Sequence, residues 1–348
     1  MALRRSIKHV GVLGAIPKTI SMCIKSRNFC FGKIDGEEWV FETPAVRGFS
    51  AFNKFIACRI GKKLFKKYLA TNGRPDVIHV HNAQAADIAI WIKKKYKIPF
   101  VVTEHSSLMW QLGNITPSYL RHLQYIYDQS SANIAVSKAL ADHLASTFHL
   151  PFTYIPNVVD TDFFKLNSLR ERDEITRLVS IGNLTENKNH LTLVKAVHSL
   201  LRQGYPIRLE IAGSGEQREI IYSYISENGL QDRVHLSGLL SKPQVVELLG
   251  RSDFFVLPSQ KETFGVVLIE AMACGLPVLA FKSGGPESII TSDRLGLLHD
   301  VQDNLEDGLL KLIGMSYDSS KIREYAKENY SYEAVAEMLI HQYSVVII

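Results

Sequence analysis

Two carboxylates flank a turn and an apolar run in the stretch "KETFGVVLIEAMACGLPV". Glu262 precedes the turn, and Glu270 interrupts the apolar residues eight positions later. The pattern predicts a helix over residues 264–274, which Gly275 and Pro277 close. Because this helix is apolar on every side, it is expected in the core, where a carboxylate is costly unless hydrogen-bond donors reach it. Vicinal hydroxyls of a sugar ring would supply such donors, and a backbone amide or an arginine would do so equally well.

The start of the same helix is a candidate anion site. The backbone amides of Thr263, Phe264 and Gly265 lie where N–H groups have no partner within the helix. These amides and the helix dipole favour a negatively charged group such as a phosphate. We therefore expect one helix to bind a phosphate at its start and a ribose ring on its flank.

Three segments that follow predicted strands carry further candidates. Lys188 lies in a polar strand-to-helix loop, where a lysine is ordinarily solvated. Gly213 and Gly215 either shape a turn or let the backbone approach a ligand. His105 follows the strand in "PFVVTEH", where a histidine is more often a packing residue than a catalytic one. Taken singly, these segments do not identify a site.

Short β-branched segments alternate with amphipathic helical patterns along the whole chain. The strands are expected within "HVGVLGAI", "DVIHVHNA", "PFVVTEH", "ANIAVS", "TRLVSIGNL", "IRLEIAGSG", "RVHLSGLL", "DFFVLPS" and "LPVLAFKS". This alternation predicts an α/β protein with two doubly wound domains, whose sheets bind ligands at the carboxyl ends of their strands. The apolar periodicity lapses after Asn157, and we place the two domains at residues 1–163 and 164–330. Residues 331–348 are expected to form a C-terminal helix and tail that pack on the first domain, with Ser331 as N-cap.

Composition excludes several classes of protein. The 348 residues are 46% apolar and 22% charged, without a low-complexity tract or an apolar run long enough for a membrane span. The four cysteines show neither CxxC spacing nor neighbouring histidines, which predicts a reducing compartment and no zinc site. The sequence therefore indicates a globular protein of the cytoplasm.

The charge is distributed unevenly. Residues 1–165 carry 22 Lys and Arg against 11 Asp and Glu, whereas residues 166–348 carry 18 against 24. The basic segments "RIGKKLFKKY" and "WIKKKYK" are either solvated helix faces or a surface for anionic lipid headgroups, with Phe65 and Trp91 as apolar anchors. Nucleic acid is not an expected partner, because no recognition motif or interleaving of aromatic and basic residues accompanies the charge.

These segments together resemble glycosyltransferase family 4, whose members are retaining, nucleotide-sugar-dependent enzymes of GT-B fold. The stretch around Glu262 and Glu270 is similar to the family's E-x7-E signature. "SIGNLTENKNH", "IAGSGEQ" and "SGGPESI" are similar, in the same order, to its G-R-L-x-x-x-K-G, G-x-G and G-G-x-x-E segments. The resemblance extends from about residue 8 to residue 343, and it implies two Rossmann-like domains that face each other across a cleft.

The resemblance implies roles for the candidate residues. The catalytic roles fall on His105 and Glu262, which would contact the donor sugar, and on Lys188, which would neutralise the diphosphate. The donor-binding roles fall on Glu270, Thr263, Phe264, Gly265, Gly213, Gly215, Asn183 and Arg218. No cofactor is implied, since the nucleotide-sugar is a co-substrate. Asp160 and Asp162, in "DTD", imitate the metal-binding D-x-D of the other major glycosyltransferase fold, but turn formation is the simpler interpretation and no metal is predicted.

The sequence departs from the family pattern at two places. Asn183 stands where the family usually has an arginine of the phosphate clamp, so either Arg218 supplies that charge or the leaving group is held less tightly. The first residues resemble the end of the family's first helix followed by its second strand. We therefore expect the N-terminal domain to lack its first strand.

The function implied by the resemblance is transfer of a hexose from a nucleotide-sugar, by expectation a UDP-sugar, to a polysaccharide or glycolipid acceptor. We expect the protein in the cytoplasm, attached peripherally to the inner face of the plasma membrane through its basic first domain. Three alternatives stay open: a nucleotide-sugar epimerase of GT-B type, a donor-binding but inactive family member, and a two-lobed sugar-binding protein. The last class normally requires export, which the N-terminal sequence does not support.

Overall fold

The structure is a computed structural model that describes residues 32–34, 38–40, 50–166 and 174–347, with side chains from residue 55 onward. The strand predicted in "HVGVLGAI" and the expected loss of the first strand lie outside these residues. Packing divides the chain into two compact units. The smaller comprises residues up to Asp76 together with Asp87–Ile98, and the larger comprises Val77–Ala86 together with the chain from Pro99 onward.

The smaller unit contains an antiparallel hairpin and two helices. The hairpin pairs β1 (Gly32–Ile34) with β2 (Glu38–Val40), and the helices are α1 (Ser50–Asn72) and α2 (Ala86–Tyr96).

An aromatic cluster joins α1 to α2. Phe65 is only 4% exposed, and its ring contacts those of Tyr68, Trp91 and Tyr96. The expectation that Phe65 serves as a membrane anchor is therefore wrong, because its apolar surface is already buried within the unit. Trp91 is partly exposed, and the ammonium group of Lys62 lies 5.4 Å from its ring centroid.

The larger unit contains two parallel sheets with helices between their strands. The first sheet has the order β3-β4-β5-β6 and consists of β3 (Ile78–His81), β4 (Phe100–Glu104), β5 (Ala132–Ala135) and β6 (Thr153–Tyr154). Its connections carry α3 (Pro117–Gln129) and α4 (Lys138–Phe148).

The second sheet has six parallel strands in the order β12-β11-β10-β7-β8-β9. Its strands are β7 (Thr176–Ile181), β8 (Ile207–Ala212), β9 (Val234–Gly238), β10 (Phe254–Leu257), β11 (Val278–Phe281) and β12 (Gly296–His299). The helices that follow are α5 (His190–Arg202), α6 (Arg218–Glu227), α7 (Lys242–Gly250), α8 (Val266–Ala273), α9 (Leu305–Gly314), α10 (Ser319–Tyr330) and α11 (Tyr332–Ile347). The strand order reverses direction at β7, so the loops after β7 and β10 meet at a switch point where such sheets bind ligands.

The two parallel sheets confirm the prediction of two α/β sheets, and eight of the predicted strands coincide with β3–β5 and β7–β11. Two strands were not predicted: β6 has only two residues, too few to show a periodicity, and β12, with the sequence GLLH, contains no β-branched residue. The domain boundaries after residues 163 and 330 stay a prediction. No helix in the described part of the chain combines the length and apolarity that crossing a bilayer requires.

The C-terminal helix α11 begins where the sequence predicts it. The Ser331 hydroxyl accepts a hydrogen bond from the amide of Ala334 at 3.3 Å, as expected of an N-cap. Val335 packs in a cluster with Ile134 and Ile155 of the first sheet. The helix therefore rests on the first sheet, although it follows the second sheet in the chain.

Candidate active site

Helix α8 presents Glu270 on an open side. The helix begins after Gly265, whose φ of 97° is one that an L side chain rarely adopts. Val266 is 39% exposed and Glu270, one turn later on the same side, is partly exposed, while Ile269 and Met272 are fully buried. The expectation that the helix is buried all round is therefore wrong, and its single carboxylate lies on the side that is not packed.

The carboxylate of Glu270 has no hydrogen-bond or ion-pair partner within the residues that the structure describes. Burial raises its pKa to about 7, and the charge of Lys242 opposes that rise only in part. The amide and arginine partners considered from the sequence are thus not engaged in this part of the chain. A partly buried carboxylate without a partner is a candidate ligand-binding group.

The segment before α8 offers unpaired backbone donors. Thr263 and Phe264 are 9% and 1% exposed, and the amides of Thr263, Phe264 and Gly265 have no acceptor among the described residues. By contrast, the amide of Glu262 donates to the carbonyl of Ser283 at 3.0 Å. Because buried backbone donors are nearly always paired, three consecutive unpaired amides indicate a place for an anionic ligand.

Lys188 and Glu262 form an ion pair across two loops. Their Nζ and Oε2 atoms are 2.5 Å apart, and the side chains are only 23% and 13% exposed. Asn187 fixes the loops to each other, because its side chain donates to the carbonyl of Lys261 and accepts from the amide of the same residue. The interpretation of Lys188 as a solvated surface lysine is therefore wrong, and the structure brings two of the three predicted catalytic residues into direct contact.

The "SGGPES" loop packs against the segment that carries Glu262 and Phe264. A side chain at Gly285 would come within 2.4 Å of the backbone nitrogen of Phe264, so only glycine permits the observed approach. The amide of Gly284 donates to both carboxylate oxygens of Glu287, at 2.9 and 3.1 Å. Glu287 was not among the predicted site residues, although its motif was recognised, and it positions the backbone next to Glu262.

The Gly213–Gly215 loop packs closely on the loop after β7. A side chain at Gly213 would meet the carbonyl oxygen of Gly182 at 1.8 Å, and one at Gly215 would meet that of Leu184 at 2.3 Å. The amide of Leu184 donates to the carbonyl of Ser214 at 3.0 Å. Both glycines are thus required by the contact between two loops at the carboxyl ends of neighbouring strands, whether or not a ligand approaches them.

The expected phosphate clamp lacks one positive charge, because Asn183 stands where the family usually has an arginine. Asn183 is exposed and pairs with no other side chain between residues 50–166 and 174–347. Arg218 is 43% exposed and pairs with its neighbour Glu219 at 3.0 Å. Among the described residues, the side chain of Arg218 makes no hydrogen bond or ion pair with Glu262. The guanidinium group of Arg218 therefore pairs with Glu219.

His105 is fixed by three polar neighbours at the end of β4. The side chain of Asn82 accepts a hydrogen bond from the amide of His105 at 3.0 Å, and the rings of His81 and His105 are hydrogen-bonded at 2.9 Å. Burial and the neighbouring His81 lower the pKa of His105 to about 4, against a hydrogen bond with Asn157 that raises it. His105 is therefore neutral at neutral pH and can act as a hydrogen-bonding group but not as a cation.

His79 has a structural role between the first sheet and the C-terminal helix. Its ring nitrogens are 2.6 Å from the hydroxyl of Tyr343 on α11 and 2.7 Å from that of Thr103 on β4. Burial, reinforced by His81, lowers the pKa of His79 to about 3. The ring thus ties the C-terminal helix to the first sheet as a neutral group.

Glu104, next to His105, is a buried carboxyl group that the sequence analysis missed. One of its oxygens accepts from the amide of Ala83 at 2.7 Å and from the hydroxyl of Tyr127 at 2.9 Å. Burial raises its pKa to about 6, although both hydrogen bonds lower it. Glu104, the last residue of β4, therefore ties the end of that strand to the segment after β3 and to α3.

The "DTD" segment forms a turn. Asp160 accepts hydrogen bonds from the amides of Asp162 and Phe163 at 3.2 and 3.0 Å. These are the side-chain-to-backbone bonds that the turn interpretation predicts.

Comparison with known proteins gives one consistent family. The sequence profile described as "Glycosyl transferases group 1" matches residues 162–329, and the one described as "Glycosyltransferase Family 4" matches residues 32–163. An uncharacterized glycosyltransferase of Methanocaldococcus jannaschii is 25% identical over 294 residues, which is 78% of this chain and 75% of that relative.

Solved structures agree with this result at the level of the fold. Sucrose-phosphate synthase from Thermosynechococcus elongatus has a TM-score of 0.75 at 18% identity, with 98% of this chain and 94% of that chain covered. HepE of Anabaena in complex with UDP and glucose has a TM-score of 0.72 at 18% identity, with 98% of both chains covered. The chain is therefore a family 4 glycosyltransferase with the GT-B fold.

Proposed function

We propose that the protein is a retaining hexosyltransferase that uses a UDP-sugar and requires no metal. The observation that carries the proposal is the arrangement around α8: unpaired amides at Thr263–Gly265 precede the helix, and the unpartnered carboxylate of Glu270 lies one turn into it. A nucleoside diphosphate matches both features, because its ribose hydroxyls donate to a carboxylate and its phosphates accept from amides. The Anabaena relative whose structure holds UDP and glucose supports the choice of UDP.

The diphosphate is the leaving group, and its charge must be stabilised as the bond to the sugar breaks. The three amides and Lys188 supply N–H donors and a positive charge for this purpose. Because Lys188 already contacts Glu262, a phosphate that approaches Lys188 also brings its sugar towards the Glu262 carboxylate. This cluster offers charge stabilisation from the chain alone, which supports the metal-independent reaction.

The transfer breaks the bond between the sugar C1 and the β-phosphate oxygen and forms a bond from C1 to an acceptor hydroxyl oxygen. The hydroxyl proton passes to an oxygen of the departing phosphate. His105 is neutral and held by His81, so it is suited to hydrogen-bond a sugar hydroxyl rather than to carry charge. Retention at C1 and a polysaccharide or glycolipid acceptor are the remaining parts of the proposal, and the family resemblance supports both.

The basic character of α1 and α2 supports a peripheral location at an anionic membrane face. Lys63, Lys66 and Lys67 are exposed on α1, and the cationic side chains of α2 lie near its end. Such residues attract anionic headgroups without any helix that inserts. Since Phe65 is buried, the attachment would be electrostatic and would weaken as salt concentration rises.

A ligand screen followed by turnover tests the proposal. UDP-sugars are expected to raise the melting temperature, because a ligand that binds only the folded state stabilises it. Release of UDP is then expected to depend on acceptor, to persist in EDTA and to fall at least hundredfold in Lys188→Ala, while the neighbouring Lys261→Ala retains activity. Absence of UDP binding would overturn the proposal. Epimerised sugar formed without acceptor would indicate the epimerase, and binding without turnover would indicate an inactive member.

A further inference from the structure

A cavity of about 480 Å³ lies at the amino ends of β7, β8 and β9. Its walls include Arg177, Arg208, Arg233 and Arg251. The glycine loop of the candidate active site follows the opposite, carboxyl end of β8. With six residues in β8, the two ends of the strand are about 20 Å apart. The cavity is therefore separate from the diphosphate position in the proposed active site.

Strand register places three of these arginines side by side. Arg177 pairs with Arg208 across β7 and β8, and Leu209 pairs with Val234 across β8 and β9. The next pair in the same ladder is Arg208 with Arg233, whose carbonyl accepts from the amide of Leu209 at 2.8 Å. Paired residues of adjacent strands point to the same face, at a spacing of about 4.8 Å between strands. The backbone itself thus assembles a row of three guanidinium groups.

Two acidic residues, Glu210 and Asp232, line the cavity together with its four arginines, so they neutralise only part of this charge. Glu210 is engaged by Arg251 at 2.8 Å and by the hydroxyl of Ser237. Arg208 and Arg233 are exposed, and no side chain in the described part of the chain pairs with either guanidinium group. Like charges directly opposite each other on neighbouring strands destabilise a sheet. An anion bound between the two groups would remove that repulsion.

We propose that this arginine cavity binds a phosphate-class polyanion at a second site, distinct from the donor site. Guanidinium groups present planar pairs of N–H donors that match two oxygens of a phosphate, and the neighbouring pair Arg208 and Arg233 suits a ligand with more than one phosphate oxygen pair. The cavity volume accommodates a pyrophosphate or a phosphorylated headgroup. The ligand chemistry is shared by soluble phosphates and anionic lipids, and the experiment separates these two sources.

The test titrates pyrophosphate into the full chain and follows the arginine Nε–Hε signals by NMR. The signal of each arginine is assigned by its absence from the spectrum of Arg208→Gln or of Arg233→Gln. The chemical shifts of these two signals are expected to change with pyrophosphate concentration and to saturate as for a single site. The same change is expected when excess UDP occupies the donor site. The double variant is expected to bind at the cavity at least tenfold more weakly, whereas Arg121→Gln/Arg294→Gln, which removes the same charge elsewhere, retains the wild-type affinity. Unmoved Arg208 and Arg233 signals, or equal binding by both double variants, would overturn the proposal.

A second arm identifies the source of the phosphate. Vesicles of phosphatidylglycerol and of phosphatidylcholine are sedimented with wild type and with the Arg208/Arg233 double variant. Loss of binding to phosphatidylglycerol in the double variant assigns the site to a lipid headgroup, and unchanged vesicle binding together with lost pyrophosphate binding assigns it to a soluble phosphate. UDP binding measured on the same variant is expected to be unchanged. A failure of the donor-site proposal would therefore leave this result intact.

Discussion

Replacing Glu270 tests the assignment of the α8 carboxylate directly. Glu270→Ala removes the acceptor for both ribose hydroxyls, and Glu270→Gln keeps one neutral acceptor of the same shape. Neither change removes a hydrogen bond within the described residues, because the carboxylate has no partner there. Any loss of UDP affinity would therefore report a contact with the ligand and not a change in the fold.

The expected magnitude follows from the number of hydrogen bonds. Each hydrogen bond to a charged group contributes about 1.5–3 kcal/mol. Loss of two such bonds at the lower end gives about 3 kcal/mol, so Glu270→Ala is expected to weaken UDP binding roughly a hundredfold. Glu270→Gln exchanges a charged acceptor for a neutral one, and a loss of roughly tenfold is expected. Isothermal titration calorimetry measures both values.

The pH dependence gives a second, independent measure. With a pKa of about 7, Glu270 is mostly protonated at pH 6 and mostly ionised at pH 8. The ionised form accepts the ribose hydroxyls about tenfold better than a neutral group does, and at pH 6 and pH 8 both forms are still present. Wild-type affinity is therefore expected to rise about fivefold from pH 6 to pH 8 beyond the change that Glu270→Gln shows. The titration of the UDP phosphate is common to both proteins and cancels in this comparison.

The stability of the ligand-free protein should move in the opposite direction. The folded-state pKa is raised above its unfolded value of 4.5, so the cost of ionising Glu270 appears as pH rises from about 4.5 to about 7. Glu270→Gln is therefore expected to be more stable than wild type at pH 8, by about 1–2 kcal/mol after allowance for partial exposure. Glu324→Gln, an equal loss of charge at an exposed residue of α10, serves as control. Equal UDP affinity in wild type and Glu270→Ala would refute the reasoning.

Three further predictions concern the groups around the site. His105→Ala is expected to lower turnover while leaving the shape of the pH profile between 5.5 and 8 unchanged, because a pKa of about 4 keeps His105 neutral throughout. Steady-state kinetics across that range measures the profile, and a profile that differs from that of the wild type would contradict the prediction. Gly285→Ala is expected to lower both stability and UDP affinity by displacing the backbone of Phe264, whereas Gly314→Ala, which meets open space, should change neither in melting and calorimetric assays. Glu104→Gln is expected to match or exceed wild-type stability at pH 7.5 in urea unfolding, because burial raises the pKa of the carboxyl group to about 6 and the cost of ionisation disappears with the charge.

The sequence predicted the features that depend on local pattern. Strands of four to six residues with β-branched side chains were placed correctly, and the E-x7-E motif led to a helix with Glu270 on its flank. It could not predict which side of α8 is covered, because Val266 is as apolar as the buried Ile269 and only packing distinguishes them. Phe65 was misassigned for the same reason, since its partner Trp91 lies on another helix.

Features that depend on register or on distant contacts were also out of reach. The row formed by Arg177, Arg208 and Arg233 exists only because three strands align at one level, and their sequence separations carry no sign of it. Similarly, Glu104 finds its partner Tyr127 on a different element 23 residues away. Such groups become recognisable only once the topology brings them together.

The ion pair between Lys188 and Glu262 limits how either residue can be interpreted alone. Both side chains are largely shielded, so removal of one leaves a charge with little solvent to stabilise it. Part of any loss in Lys188→Ala therefore comes from Glu262, which would be free to repel the diphosphate that Lys188 no longer attracts. Under the proposed function, the pair would also give specificity to a phosphate clamp that has Asn183 in place of an arginine. A phosphate that took over the contact with Lys188 would release the Glu262 carboxylate, and that carboxylate would regain a partner only if a sugar with free hydroxyls accompanied the phosphate.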